Sequence, residues 1–265
     1  AEQAGLFLAE PPKVLQALPF PEGHPRHMTL TTPGRIIVVG DPHGCFDEFE
    51  DLLRQCNFNA SAGDAVIIAG DLVNKGPKSV EMLRAARDRE GVWSVRGNHE
   101  DGALWSWQDW KEGRTPRHEW VANMNEDDVS YLQRLPYTCA LPQYNALVVH
   151  AGLVMGRDVD RQGPGDMMRM RNLALLKGDW QRPEWVALEK DDVGVPWAGL
   201  WSGPPHIFFG HDAKRQLQLH EHATGLDTGC VYGFRLSACI LDPAKPGQRQ
   251  LVHVPARAEY TKPGA

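Results

Sequence analysis

Aspartate, asparagine and histidine stand at the ends of five apolar runs in this chain: VVGDPHG, IIAGD, SVRGNHE, LVVHAG and FFGHD. These side chains are oxygen and nitrogen donors for divalent cations. In an extended chain Asp41 and His43, two apart, point the same way. Pro42 between them disfavours the helical region at Asp41, and Gly44 lets the chain turn away at once. Any one such pair has an ordinary reading, since Gly-Asp is a common turn and a lone histidine is usually a core or surface residue. Five in register with five run ends are hard to obtain by independent placement. Asp41 and His43 can hold one ion, and Asn98, His150 and His211 another, with the two oxygens of Asp71 as the natural bridge. That is a two-metal site: paired cations lower the pKa of a shared water, supply hydroxide near neutral pH and neutralise a phosphoryl group under in-line attack. Thiolate-free donors suit two divalent ions, Mn first, then Zn, Fe or Co, with Mg less suited to three histidines. His99, beside Asn98, is left over from ligation and is assigned as the general acid for the leaving oxygen; its plain alternative is an exposed neighbour.

The elements that must position these residues follow from the same runs. Residues 35–40, 64–71 and 91–100 read as buried strands. Between them, Phe46, Phe49, Leu52, Leu53 and Cys56 share one helical face. Val80, Leu83 and Ala86 share another, with Pro77 suited to a first turn. Strand–helix–strand alternation implies right-handed crossovers and a largely parallel sheet, whose carboxyl ends are where ligands bind. Residues 146–152 and 206–212 are two more strand ends, and 125–136 is a helix with an acidic start. The tail, RLSACIL and QLVHV, alternates like antiparallel strands. Residues 1–34, with six prolines, form an extended N-terminal arm. Residues 35–265 form one catalytic domain, in which 153–205 is a helical or irregular capping insertion.

Composition limits the alternatives. Of 265 residues, 42% are hydrophobic and 23% charged, as in an ordinary soluble globular protein, and the net charge of −6 excludes a broad basic nucleic-acid surface. Five scattered cysteines without C-x-x-C spacing point to a reducing, intracellular, cytoplasmic setting with structural thiols. No apolar run reaches the roughly 18–20 residues that span a bilayer, so no membrane partner is expected. The N-terminal stretch has no basic region of a signal peptide.

With these blocks in hand, the sequence resembles the calcineurin-like metallophosphoesterases: GDPHG, GDLVNKG, RGNHE, HAG and GHD match their five-block pattern over about 35–212. The resemblance implies an α/β fold, a two-sheet β-sandwich flanked by helices. TGLDTGCVYG and MRMRN are similar to segments of the symmetrical diadenosine tetraphosphatases, and Lys75 in the second block marks the ApaH-like phosphatases. In phosphoprotein phosphatases an aspartate stands at Asn74, supporting the catalytic histidine, and a phosphate-binding arginine stands at Lys75. Pro42 departs from the usual β-branched residue. The resemblance implies a phosphate-containing anionic substrate: dinucleoside polyphosphate, capped RNA or inorganic polyphosphate. Lysine offers a flexible point charge suited to an internal phosphate, and losing the aspartate at Asn74 suits a good leaving group. Lys75 and Arg96 flank ligands and are expected phosphate contacts, as are Arg169 and Arg171 unless they form a solvated basic stretch. Trp180, Trp185, Trp197 and Trp201 either stack on a base or are buried. The alternatives are a Ser/Thr phosphoprotein phosphatase and a non-catalytic scaffold; the complete donor set and His99 argue against the scaffold.

Overall fold

The computed structural model describes residues 6–176 and 184–263. Ile36–Val39, Ala65–Ile68 and Val92–Ser94 lie side by side in parallel, with Ile36 opposite Ala65 and Val66 opposite Val92. The tail completes this five-stranded sheet: Arg235–Leu241 runs antiparallel to Ile36–Val39, and Arg249–Pro255 antiparallel outside it. The first two strands are apolar throughout because both their faces are covered. Ile37, Val39, Val66 and Ile68 pack against the helices, whereas Ile36, Val38 and Ile67 face a second sheet.

That second sheet has six strands, in the order Gln218–Leu219, Ala223–Gly225, His206–Phe209, Ala146–Val149, Thr138–Leu141 and His27–Thr29. His206–Phe209 and Ala146–Val149 are parallel. Val148 and Phe208 enter the core between the sheets, while Leu147, Val149, Ile207 and Phe209 face the opposite way, onto Met167, Met168, Leu173 and Trp197. The layers are therefore helices, sheet, sheet and insertion, the expected sandwich.

The first two helices form where the apolar spacing placed them. Phe46–Gln55 buries Phe49, Leu52 and Leu53. Ser79–Asp88 buries Met82, Leu83 and Ala86, so Met82 takes the inward position expected of Val80, and Pro77 precedes the first turn. Asn98–Lys111 begins on the asparagine itself, inside the stretch 91–100 expected as strand, of which only Val92–Ser94 is strand. Glu126–Arg134 is capped by Asn125, whose Oδ1 accepts the Asp128 N–H at 2.9 Å.

Two further expectations change. Beside its helix Pro164–Arg169 and its irregular stretches, the insertion contains strands that were not expected: Asn172–Leu176 pairs antiparallel with Glu184–Leu188 and Val195–Pro196, and parallel with Phe7–Leu8, making a small third sheet. Runs of five residues among Gly, Pro and Trp are too short for periodicity to separate strand from coil. The N-terminal arm is also tied into the fold, with His27–Thr29 as an edge strand beside Thr138–Leu141. Its prolines leave 9–26 without regular structure. Among the described residues, no helix is long and apolar enough to cross a membrane.

Candidate active site

The ends of five strands, three from one sheet and two from the other, open onto one edge. There Asp71 has His43 and His99 on one side and His150 and His211 on the other, each group of three with its donor atoms within 4.8 Å of one another. Asp71 Oδ2 lies 3.4 Å from His43 Nε2, and Asp71 Oδ1 3.4 Å from His150 Nε2. Asn98 Oδ1 is 3.1 Å from His150 Nε2. Asp41 sits behind His211, with its Oδ2 accepting the His211 backbone N–H at 2.9 Å. All six expected donor residues meet here.

The backbone aims them. His43 Nδ1 lies 3.1 Å from the Val73 carbonyl, His150 Nδ1 2.7 Å from that of Ala69, and His211 Nε2 3.0 Å from that of Arg169. A ring nitrogen held on a carbonyl carries the hydrogen, which frees the other nitrogen as a donor to a cation. His43, Asp71, Asn74, Lys75 and His211 all have positive φ, between 44° and 71°. Such strain persists only where the surroundings over-determine it, and it collects at functional sites. Gly210 and Gly97 are required by close approach: a Cβ would lie 1.8 Å from Asp41 Oδ1 in the first case and 2.3 Å from Asp71 Oδ1 in the second.

The site fits cations. Asp41, Asp71 and Asp227 are buried near one another, and Asp41 Oδ1 has no hydrogen-bond partner among the described residues. Burial, then the carboxylates of Asp227 and Asp71, pushes Asp41 well above the ordinary carboxylate range. Burial raises Asp227 to about 6. Clustered buried carboxylates of this kind are stabilised by positive charge. His99 stands beside the cluster, its Nε2 4.0 Å from Asp71 Oδ2, and burial pulls its ring down to about 4.

The expected substrate contacts divide. Lys75 and Arg171 line a cavity of about 650 Å³ that also contains His43, Asp71, Asn98 and His99. Arg169 lines a second cavity of about 330 Å³ that shares Asn98 and His99. Arg96 reaches neither. It is 1% exposed, and its guanidinium donates from Nε to Asp101 Oδ1 at 2.8 Å and from Nη1 to the Gln133 carbonyl at 3.2 Å. The chain turns at Gly97 from strand into helix, and Arg96 is carried into the core beneath that turn. The expected phosphate contact at Arg96 is thus corrected to a buried ion pair.

The tryptophans divide too. Trp197 is buried and donates to the Ala151 carbonyl, Trp201 donates to that of Pro205, and Trp185 packs on the insertion's core. Trp180 lies outside the described residues. The rings that do face the cavities are Tyr232 and Phe234 in the larger and Trp105 in the smaller. Phe234 is 57% and Trp105 38% exposed, so both have a free face. No local pattern distinguishes them from any surface aromatic. Glu100 also escaped the motif reading, although it ends the RGNHE block. Its carboxylate accepts the N–H groups of Gly97 at 2.7 Å, Leu72 at 2.8 Å and Asp71 at 3.0 Å, locking two ligand loops together.

Comparison with known proteins agrees with this architecture. The family model described as calcineurin-like phosphoesterase matches residues 34–227. A symmetrical bis(5'-nucleosyl)-tetraphosphatase of Aromatoleum aromaticum is 28% identical over 78% of this chain and 93% of its own. The asymmetrical bis(5'-nucleosyl)-tetraphosphatase PrpE of Oceanobacillus iheyensis is 24% identical over 77% and 87%. A crystal structure provisionally assigned as a diadenosine tetraphosphatase superposes with a TM-score of 0.74 at 39% identity, covering 87% of this chain and 97% of that one.

Proposed function

The chain belongs to the calcineurin-like phosphoesterase family, and from that premise we propose that it hydrolyses a phosphoanhydride bond of a dinucleoside polyphosphate. One observation carries the choice of substrate: two cavities meet at Asn98 and His99, and each combines cationic side chains with an exposed aromatic ring. Lys75, Arg171 and Lys214 accompany Tyr232 and Phe234 in the larger, while Arg117, His118 and Arg169 accompany Trp105 in the smaller. A polyphosphate chain crossing His99 matches the cations, and a nucleobase at each end matches the rings, since any base offers a face to stack. Inorganic polyphosphate would leave the rings unused. The names of the tetraphosphatase relatives favour the same substrate class.

Asp41, His43, Asp71, Asn98, His150 and His211 would hold two divalent ions, with manganese the first choice for this donor set. Bound there, the ions supply Lewis-acid charge to phosphoryl oxygens and lower the pKa of the attacking water. The chain's own groups do the remaining work. Lys75, whose Nζ reaches to within 3.1 Å of His43 Nε2, puts a point charge where phosphate oxygens must lie. Arg171 lines the same cavity with its guanidinium held on the Glu189 and His211 carbonyls, and adds positive charge there. Water gives up one proton to solvent as its oxygen adds to phosphorus, the bond to the bridging oxygen breaks, and that oxygen leaves with the electron pair while the His99 N–H hydrogen-bonds to it. A leaving phosphate is a far weaker base than a serine alkoxide, so it needs less help from His99. Residues 35–265 form the catalytic unit in this reading, and the arm braces it through Leu18 N–H on Asp101 and the Gln16 carbonyl on Arg169.

The test is a substrate panel with Mn present, repeated with Mg, Co and Zn. Diadenosine tetraphosphate or capped RNA should give a higher kcat/KM than phosphoserine and phosphothreonine peptides. If the peptides win with every metal, the chain is a phosphoprotein phosphatase.

A further inference from the structure

Trp120 lies outside all five ligand blocks, on the short 3-10 helix Glu119–Asn123, and its indole Nε1 is 2.9 Å from Asn74 Oδ1. An indole nitrogen only donates, so the atom it meets must be the amide oxygen of Asn74. The amide NH₂ is then directed the other way. It lies 2.9 Å from the backbone carbonyl of His99, which only accepts, and 3.2 Å from His99 Nδ1. Turning the amide over would set oxygen against oxygen at one end and N–H against N–H at the other. Both ends of the amide therefore specify the same orientation. Asn74 cannot step aside: it is fully buried, and its backbone, held at φ 71°, donates to Ser79 Oγ at 3.0 Å.

We propose that Trp120 is a positioning residue that, through Asn74, fixes the tautomer of His99. With an N–H aimed at Nδ1, that nitrogen must present its lone pair, and the ring hydrogen sits on Nε2. Nε2 is the nitrogen on the Asp71 side, and the ring as a whole lines both cavities. The ring itself is anchored at its backbone, whose N–H donates to Asp71 Oδ1 at 2.9 Å. The dyad thus presents a neutral N–H donor to the leaving oxygen. An aspartate at Asn74 would do the opposite, presenting an acceptor to Nδ1 and holding a hydrogen there. The link Trp120–Asn74–His99 therefore matches the enzyme to leaving groups that need a hydrogen bond more than a full proton, such as a phosphate.

The proposal rests in part on the phosphohydrolase reading, but its first test does not. Long-range ¹H–¹⁵N correlation spectra of the protein loaded with diamagnetic Zn should show Nε2 of His99 bearing hydrogen and Nδ1 bare. Trp120→Phe keeps an aromatic ring and removes the donor, so a mixture of tautomers should appear. Asn74→Asp should move a hydrogen onto Nδ1. In kinetics, Trp120→Phe should lower kcat about tenfold for aryl phosphates with poor leaving groups and less for good ones, with KM and metal content unchanged. A wild-type spectrum with hydrogen on Nδ1 overturns the proposal, even should either variant fail to fold. So does a Trp120→Phe protein whose tautomer and kcat both match wild type. A wild-type protein with the expected tautomer and no hydrolysis of any phosphate substrate would instead sink the reading of function.

Discussion

The cation cradle and the cavity walls are built from opposite materials. In the cradle, His43, His150 and His211 each keep one ring nitrogen on a backbone carbonyl, Glu100 ties down three N–H groups, and five residues accept left-handed backbone. Of the cradle's donors, Asp41, His43, Asp71, His150 and His211 are buried, and Asn98 is half-buried. The exposed rings and one lysine of the walls are held by little. Phe234 and Trp105 expose much of their surface, and Lys214 is a side chain 76% exposed whose partner, Asp191, lies outside the cavity. The contrast follows from what each part must do. Holding highly charged ions requires donors that do not relax, whereas recognising a base or a phosphate tolerates side chains that adjust. A change in the cradle should therefore remove chemistry, and a change in the walls should shift preference.

Three substitutions would break or sharpen this contrast. The largest effect is expected from Asp71→Asn, which weakens donors shared by both halves of the cradle. Activity should fall to background, and elemental analysis should find less of both ions. Full occupancy with normal turnover would remove Asp71 from its bridging role. Next comes His99→Asn, expected to lower kcat by roughly 10²–10⁴-fold with near-normal metal content. The loss should shrink as the leaving group improves; an equal loss across a leaving-group series would count against the acid. The smallest effect on catalysis is expected from Arg96→Met, because Arg96 belongs to neither region. It should leave KM within about twofold, yet cost about 3–5 kcal/mol of stability by stranding the buried Asp101 carboxylate. Denaturant melts paired with KM values would check both halves, and a large rise in KM at unchanged stability would restore Arg96 as a substrate contact.

The same contrast explains what was legible in the sequence. Asp41, Asp71 and His150 follow strands that are apolar throughout, and Asn98 and His211 follow largely apolar ones; both features are local, so the convergence could be inferred before any coordinates. The face of Phe46–Gln55 and the acidic start of Glu126–Arg134 are readable for the same reason. Arg96 misled because adjacency to Asn98 said nothing of the turn at Gly97 that sends the two side chains to different places. The sheet made by Asn172–Leu176, Glu184–Leu188 and Phe7–Leu8 joins segments far apart in the chain, which short runs cannot announce. Trp120, Trp105 and Phe234 acquire roles only through what the fold sets beside them. Sequence periodicity carries no record of that.

The central claim is that a polyphosphate chain crosses His99 with a nucleoside in each cavity. Its most direct measurement compares kcat/KM for diadenosine tetraphosphate and for tripolyphosphate in the wild type and in a Trp105→Ala, Phe234→Ala double variant, with Mn present. Loss of stacking should raise KM for the dinucleotide by roughly tenfold to hundredfold, while tripolyphosphate turnover and the melting temperature stay near wild type. Equal losses on both substrates, or none on either, would contradict it.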